Sequence, residues 1–375
     1  MMIRGYGALA VLTLAGACGT TPELERPAGP EPNAGPESRH ELPDLSRIPG
    51  GVIVHLQCGR GTTTTEFPGD RFLVCGLDTN RLLVDSARKS MLAKGLSGNI
   101  CLDIWDGATL PFVDSFANVI VLEELGDTPL AELVRVLCPR GMLCTRSSDL
   151  QALQAAGLEV SSRDGWTYAA RPWPKDIDGW THALYDAAGG AVSKDRRVGP
   201  PKHIQWVGEP KWTRHHEATS SFHALVSDNG RIFYIIDQAP QVSLYLPSDW
   251  VLAARDGFNG KLLWKKKMGE WVTQFYNYKS GPTQMTRRLV AGDGKVFASL
   301  SYDGPLHVID AASGETLRVI DTTKGCEEIL YHGGTIFAMT SDTPVKYRGW
   351  LEAKHRFSPE NAWSARCGAA AAATC

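Results

Sequence analysis

Between residues 50 and 171, short apolar runs alternate with mixed or polar segments. Val52–His55 runs into the turn Cys58-Gly59-Arg60-Gly61, and Phe72–Thr79 (FLVCGLDT) is a second apolar run that delivers Asp78. Asn99–Asp103 reads as a third strand, and Ala117–Leu122 (ANVIVL), apolar but for Asn118, has the run of a fully buried strand. Leu130–Leu137 has helical spacing and passes through Pro139-Arg140-Gly141 into an extended Met142–Thr145. Leu158–Ser161 and Trp166–Arg171 flank a turn at Arg163-Asp164-Gly165. Strands alternating with helices predict an α/β domain built on a doubly wound parallel sheet. After the break at Pro172–Trp180 (PWPKDIDGW) the pattern changes to short strands bounded by turn residues, as in an all-β domain.

The all-β part repeats itself. Asn229-Gly230-Arg231-Ile232-Phe233-Tyr234 recurs as Asp293-Gly294-Lys295-Val296-Phe297-Ala298 and as Gly333-Gly334-Thr335-Ile336-Phe337-Ala338. Its partner half, Leu252–Trp264 (LAARDGFNGKLLW), recurs as Leu306–Leu317 (LHVIDAASGETL), each with an Asp before a turn at Gly260 or Gly314. The motif resembles the blade of quinoprotein-type (PQQ-like) β-propellers. In that family the glycine makes the hairpin and the Trp packs between neighbouring blades. A ring of this kind needs 4–8 blades, and about three are legible over 200–347, so an incomplete propeller is expected. Alternation stops after Tyr347, and 348–375, ending CGAAAAATC, reads as a disordered tail or as sequence foreign to the propeller.

The candidate chemistry lies in the first domain. A strand that runs into Gly-x-Gly brings backbone close to a ligand, because glycine alone lets the main chain approach so tightly. An acid at the end of the second strand is placed to hold a ribose. With RVLCPRG at 135–141, these features make residues 50–171 resemble class I S-adenosylmethionine-dependent methyltransferases. The resemblance implies a Rossmann-like fold, with the cofactor's methionine end at Cys58, Gly59 and Gly61, its ribose at Asp78 and its adenine edge at Asp106. The family's loop is D-x-G-C-G-x-G; here His55 stands for the carboxylate and Gln57 for a glycine. Both departures point to weak or lost binding of S-adenosylmethionine. No catalytic residue is assigned. Glu123, Glu124 and Asp127 follow the fourth strand and read as its solvated end, and the Asn/Asp-Pro-Pro motif of amino-methylating members is absent.

Ahead of these domains, residues 1–18 carry one cation, Arg4, an apolar run from Ala8 to Ala15 and small residues up to Cys18. This is the shape of a secretory signal, shorter than the ~20 residues of a membrane span. Cys18 resembles the cleavage site of bacterial lipoproteins, with Ala15 where that pattern prefers Leu. That implies lipidation of Cys18, a membrane anchor, and a place in the bacterial envelope, lipid-anchored or periplasmic. An ordinary cleaved signal with an incidental cysteine is the alternative. Residues 19–49 hold seven prolines without apolar periodicity and predict an extended tether; 172–199 reads as a second linker.

Charge and remaining residues narrow the picture. A net charge of −2 gives no long-range pull on nucleic acid. The nine cysteines show no C-x-x-C and no metal-ligand spacing, and the five between 50 and 171 (Cys58, Cys75, Cys101, Cys138, Cys144) read as small core residues. His215-His216-Glu217, with His203 and His223, lacks metal-site spacing, so no metal is expected. Three functions follow. The favoured one is an envelope-associated binding scaffold built on the propeller repeats, its partner an envelope protein or small molecule, with a degenerate methyltransferase-like domain. An active methyltransferase is the alternative. A PQQ-dependent dehydrogenase comes last, and PQQ itself is not expected, because that cofactor needs a complete ring.

Overall fold

The computed structural model describes residues 41–375, except 97, 201–203, 211–213, 215–220, 243–245, 270, 272–282, 342–370 and 375. The expectations for the leader, for Cys18 and for His203 and the His215-His216-Glu217 cluster lie outside the described residues. Of the segment read as a tether, 41–49 packs on the first domain. Leu45 is buried with Leu42 and Ile48 against the sheet core. Asp44 pairs with Arg163 at 2.7 Å, and its N–H donates to the Tyr168 hydroxyl.

The first domain is a seven-stranded sheet. Its strands are β1 (Gly51–Leu56), β2 (Phe72–Asp78), β3 (Ile100–Ile104), β4 (Ala117–Val121), β5 (Leu137–Thr145), β6 (Glu159–Arg163) and β7 (Trp166–Ala170), in the order β3-β2-β1-β4-β5-β7-β6. The first five are parallel; β7 runs antiparallel between β5 and β6. The chain moves outward from β1 through β2 to β3, then returns to the other side of β1 as β4. This doubly wound, Rossmann-like order puts a topological switch point between β1 and β4. β1 and β4 are buried at every position, the polar His55 and Asn118 included, as central strands of a parallel sheet are.

Three helices cover this sheet unevenly. α1 (Arg81–Ala93) starts at Asn80, whose side-chain oxygen accepts the N–H groups of Leu82 and Leu83. It lays Val84, Ala87 and Met91 against Val74, Ile100 and Leu102. α2 (Leu130–Val136) and α3 (Leu150–Ala155) bury Leu133, Val136 and Leu153 on the opposite face, with Val54, Ile120 and Leu143. The crossover from β3 to β4, residues 105–116, contains no helix. The second face of β2 and β3 is therefore left partly open, and Cys101, expected in the core, is exposed there.

Among the described residues, the second part forms three antiparallel sheets. The first holds β8 (Phe222–Asp228), β9 (Arg231–Asp237), β10 (Trp250–Asp256) and β11 (Leu262–Lys267). The second holds β12 (Leu289–Gly292), β13 (Lys295–Ser299), β14 (Leu306–Asp310) and β15 (Thr316–Ile320). The third holds β16 (Cys326–His332), β17 (Thr335–Thr340) and β18 (Ala371–Thr374); β18, from the stretch expected to lack strands, pairs with Thr335–Ala338. The middle sheet packs on both neighbours: Ala291, Val296 and Ile309 share a core with Val226, Phe233 and Leu252, while Phe297 and Val308 share one with Ile329 and Tyr331.

The repeated motif makes the same contacts twice. Asp256 Oδ1 accepts the N–H groups of Phe258 and Asn259, and Asp310 Oδ1 those of Ala312 and Ser313. Gly260 and Gly314 take positive φ (+74° and +76°), and an indole lies on each: Trp206 on Gly260, Trp264 on Gly314. A methyl at either glycine would sit 2.4–2.6 Å from ring carbons. Each indole N–H also donates to the carbonyl after the Asp, Gly257 or Ala311. Trp264 thus links the first small sheet to the second. Residues 180–182 tie all three sheets together, accepting N–H groups two residues before each repeated turn. Ser227 N–H donates to the Trp180 carbonyl, Ala291 N–H to that of Thr181, and Tyr331 N–H to His182 Nε2.

Candidate functional site

In open α/β sheets, ligands bind beyond the carboxyl ends of the strands at the switch point. Here that edge is formed by Leu56 at the end of β1, Asp78 at the end of β2 and Val121 at the end of β4. The loop after β1 bends sharply: Gln57, Gly59 and Gly61 take φ of +57°, +55° and +73°. Its N–H groups are fixed from behind. Cys58 N–H donates to the Leu77 carbonyl and Gly61 N–H to the Cys58 carbonyl.

Asp78 organises the site. It is 8% exposed, and its Oδ2 accepts Gly59 N–H at 2.7 Å while Oδ1 accepts Asn80 N–H at 2.8 Å. One carboxylate thus fastens the glycine loop to the start of α1. A carboxylate offers about four lone-pair sites, so these two bonds leave acceptor capacity on Asp78. The two glycines differ. A methyl at Gly61 would come within 3.1 Å of Leu102, so Gly61 serves packing, whereas one at Gly59 would meet nothing within 4 Å. Gly59 faces open space, as a backbone cradle for a ligand must.

The departures from the family's loop have structural consequences. His55 is buried and points under the loop, its Nδ1 2.8 Å from the Thr64 hydroxyl. Burial lowers its pKa to about 4, so the imidazole is neutral. It therefore cannot take the place of an anionic acceptor. Gln57 is exposed and extends across the switch point, its Nε2 3.4 Å from where a Cβ on Gly126 would lie. Asp106 is also exposed, but its Oδ1 caps its own turn by accepting Ala108 and Thr109 N–H; these bonds hold its pKa below the usual carboxylate range. Glu124 and Asp127 are exposed in the loop after β4.

Cys58, Gly59, Gly61 and Asp78 thus meet at one edge, with Asp106 in the loop after β3. Sequence reasoning passed over Asn80 and Trp105. Asn80 shares the Asp78 carboxylate, and an Asn two residues after an acid at a strand end is a legible capping signal. Trp105 is buried one residue before Asp106, and its indole N–H has no acceptor among the described residues. Asp78 and the loop after β1 thus offer acceptor capacity beside open space, and the position before the loop that would need a carboxylate holds neutral His55 instead. Among the described residues no group of three or more His, Cys, Asp or Glu is arranged to hold a metal ion. No described helix is long and apolar enough to cross a membrane.

No protein-family model matches the sequence, and no curated protein matches it. Among solved structures the chain is similar to the [4+2]-cyclase SpnF (21% identity, 30% of this chain and 52% of that one, TM-score 0.28). It is also similar to a SAM-dependent methyltransferase from Aquifex aeolicus (17%, 32% and 80%, TM-score 0.28) and to one from Methanosarcina mazei (16%, 33% and 94%, TM-score 0.28). The chain spans about half the length of the cyclase it matches. These overlaps are low, and the functional reading rests on the residues of this chain.

Proposed function

We propose that this chain is a methyltransferase-type protein whose seven-stranded domain binds S-adenosylmethionine at the carboxyl edge of β1, β2 and β4. One observation carries the reading: at the switch point Gly59 is held open by a carboxylate, Asp78, that keeps lone pairs for a ribose. When bound, the cofactor supplies an electrophilic methyl group. The chain's part is to hold the sugar at Asp78, to let the ligand approach the backbone at Gly59, and to bound the crevice with the loop after β4. Binding is weakened on the methionine side by neutral His55 and by Gln57. A lost charge-assisted hydrogen bond is worth about 1.5–3 kcal/mol, roughly ten- to a hundredfold in affinity.

Titration calorimetry of the full chain with S-adenosylmethionine tests this. The expected result is weak binding that is abolished in Asp78→Ala and strengthened about tenfold or more in His55→Asp/Gln57→Gly. Absence of binding in both the wild type and the double variant would overturn it. A second reading, an envelope scaffold built on propeller-type sheets, is favoured by the repeated indole-on-glycine contacts at Gly260 and Gly314. A partner that binds equally well to Asp78→Ala would support it.

A further inference from the structure

Cys75 and Cys101 face one another on neighbouring strands. They are direct partners in the parallel register of β2 and β3, and their sulfurs lie 3.2 Å apart. Adjacent strands run about 4.8 Å apart, inside the Cα separation that a disulfide spans. A bond of about 2.05 Å therefore requires the sulfurs to approach by about 1 Å, a side-chain adjustment. Access comes from the fold. Alternation puts both residues on the sheet face opposite α1, and the helix-free crossover at 105–116 leaves that face open at the edge. Cys101 is exposed and Cys75 half-buried, while Cys58, Cys138, Cys144 and Cys326 are buried.

We propose that Cys75 and Cys101 are a reversible dithiol site that closes to an inter-strand disulfide by exchange with low-molecular-weight disulfides. The proposal is independent of the cofactor reading. The two residues have distinct parts. The exposed Cys101 is the attacking group: hydrogen bonding with the Cys75 thiol holds its pKa below the ordinary thiol value, against the opposing pull of burial and of the nearby Asp103 carboxylate, with Arg88 adding a smaller lowering contribution. Arg88 reaches the strand edge by donating to the Leu102 carbonyl and to Asp103 Oδ1. The Cys101 thiolate attacks one sulfur of the small disulfide, forming a mixed disulfide and releasing one thiolate. Cys75 then gives its proton to that thiolate or to water and attacks the Cys101 sulfur, expelling the second thiolate. Two protein thiols are oxidised and one small disulfide is reduced to two thiols. Thiolate attack favours sulfurs that are accessible and easily deprotonated. Cys58, Cys138, Cys144 and Cys326 are buried and raised by desolvation, whereas Cys75 is raised first by its hydrogen bond with Cys101, a contribution that ends once Cys101 is in the mixed disulfide.

The test uses the full-length chain and oxidised glutathione as the probe, with free thiols blocked before non-reducing tryptic mapping by mass spectrometry. Trypsin isolates the two sulfurs, since 72–81 contains Cys75 as its one cysteine and 95–135 contains Cys101 as its one cysteine. The expected product joins these peptides and separates on reduction. In Cys75→Ser, Cys101 should stop as the glutathione adduct; in Cys101→Ser, Cys75 should stay unmodified. A wild-type map with Cys101 held as the adduct, with both thiols free, or with either joined to another cysteine overturns the proposal. The wild-type map decides the matter even if a variant fails to fold.

Discussion

The two edges of the seven-stranded sheet use their polar groups in opposite ways. At the amino edge, the Asn118 carboxamide is saturated. Its Oδ1 accepts Val52 N–H and Asn259 Nδ2, and its Nδ2 donates to Asp256 Oδ2 and, more weakly, to Cys138 Sγ. This one side chain fastens β1 and β4 to the first repeated turn of the small sheets. Asp256 is buried there, and desolvation raises its pKa above the ordinary carboxylate value. At the carboxyl edge, Asp78 holds two backbone N–H groups and keeps acceptor capacity, and Gly59 borders open space. The amino edge is spent on joining domains, and the carboxyl edge borders open space. The difference shows in two glycines of positive φ.

Gly51→Ala should give the largest effect. A Cβ at Gly51, where φ is +136°, would lie 1.8 Å from Asn118 Oδ1. The carboxamide would have to abandon its partners, at a cost of about 4 kcal/mol in unfolding stability, measured by denaturant titration. A cost below ~1 kcal/mol would mean that the amino edge is not the tight junction described.

The pH dependence tests the layer beneath the ligand edge. The His55 pKa falls from 6.5 to about 4 on folding, so the unfolded chain binds the proton first as pH drops. Its contribution is fully present above pH 6.5 and is lost progressively between pH 6.5 and about 4, to an extent of about 3 kcal/mol. Stability measured across that window should fall less steeply in His55→Gln. An unchanged slope would remove His55 as a buried neutral group.

Gly59→Ala should be the mildest for folding. With φ at +55° and no neighbour within 4 Å, only the left-handed backbone penalty of about 1–2 kcal/mol applies. Its effect should instead appear in calorimetry as a loss of S-adenosylmethionine affinity of about tenfold, because the methyl would occupy the ligand's approach. Equal affinity in the variant would move the ligand away from this loop.

Local pattern made much of the fold legible. The strands of the first domain and the repeated turns announce themselves because strand burial imposes a period of two, or an unbroken apolar run, and because the turns need glycine at positive φ. The order of glycine loop and terminal acid likewise placed Gly59 and Asp78 together. α1 escaped that reading, since RLLVDSARKSMLA leaves Leu82 and Leu92 76% and 72% exposed and so blurs its apolar stripe. The packed segment 41–49 escaped as well, its three apolar residues being hidden among prolines and charges.

By itself, then, the chain's order of apolar runs, glycines and acids determined most of the strands and brought the glycine loop and Asp78 to one edge. Tertiary structure alone decided which distant residues share an environment. Asn118 and Asp256 are 138 residues apart in the chain and 2.7 Å apart in space, and neither stands out among the other polar residues. Cys75 and Cys101 looked like core residues until strand register paired them and the missing crossover helix uncovered them. Neither pairing has a local signal, because register and burial are set by the packing of whole elements rather than by the few residues around each partner.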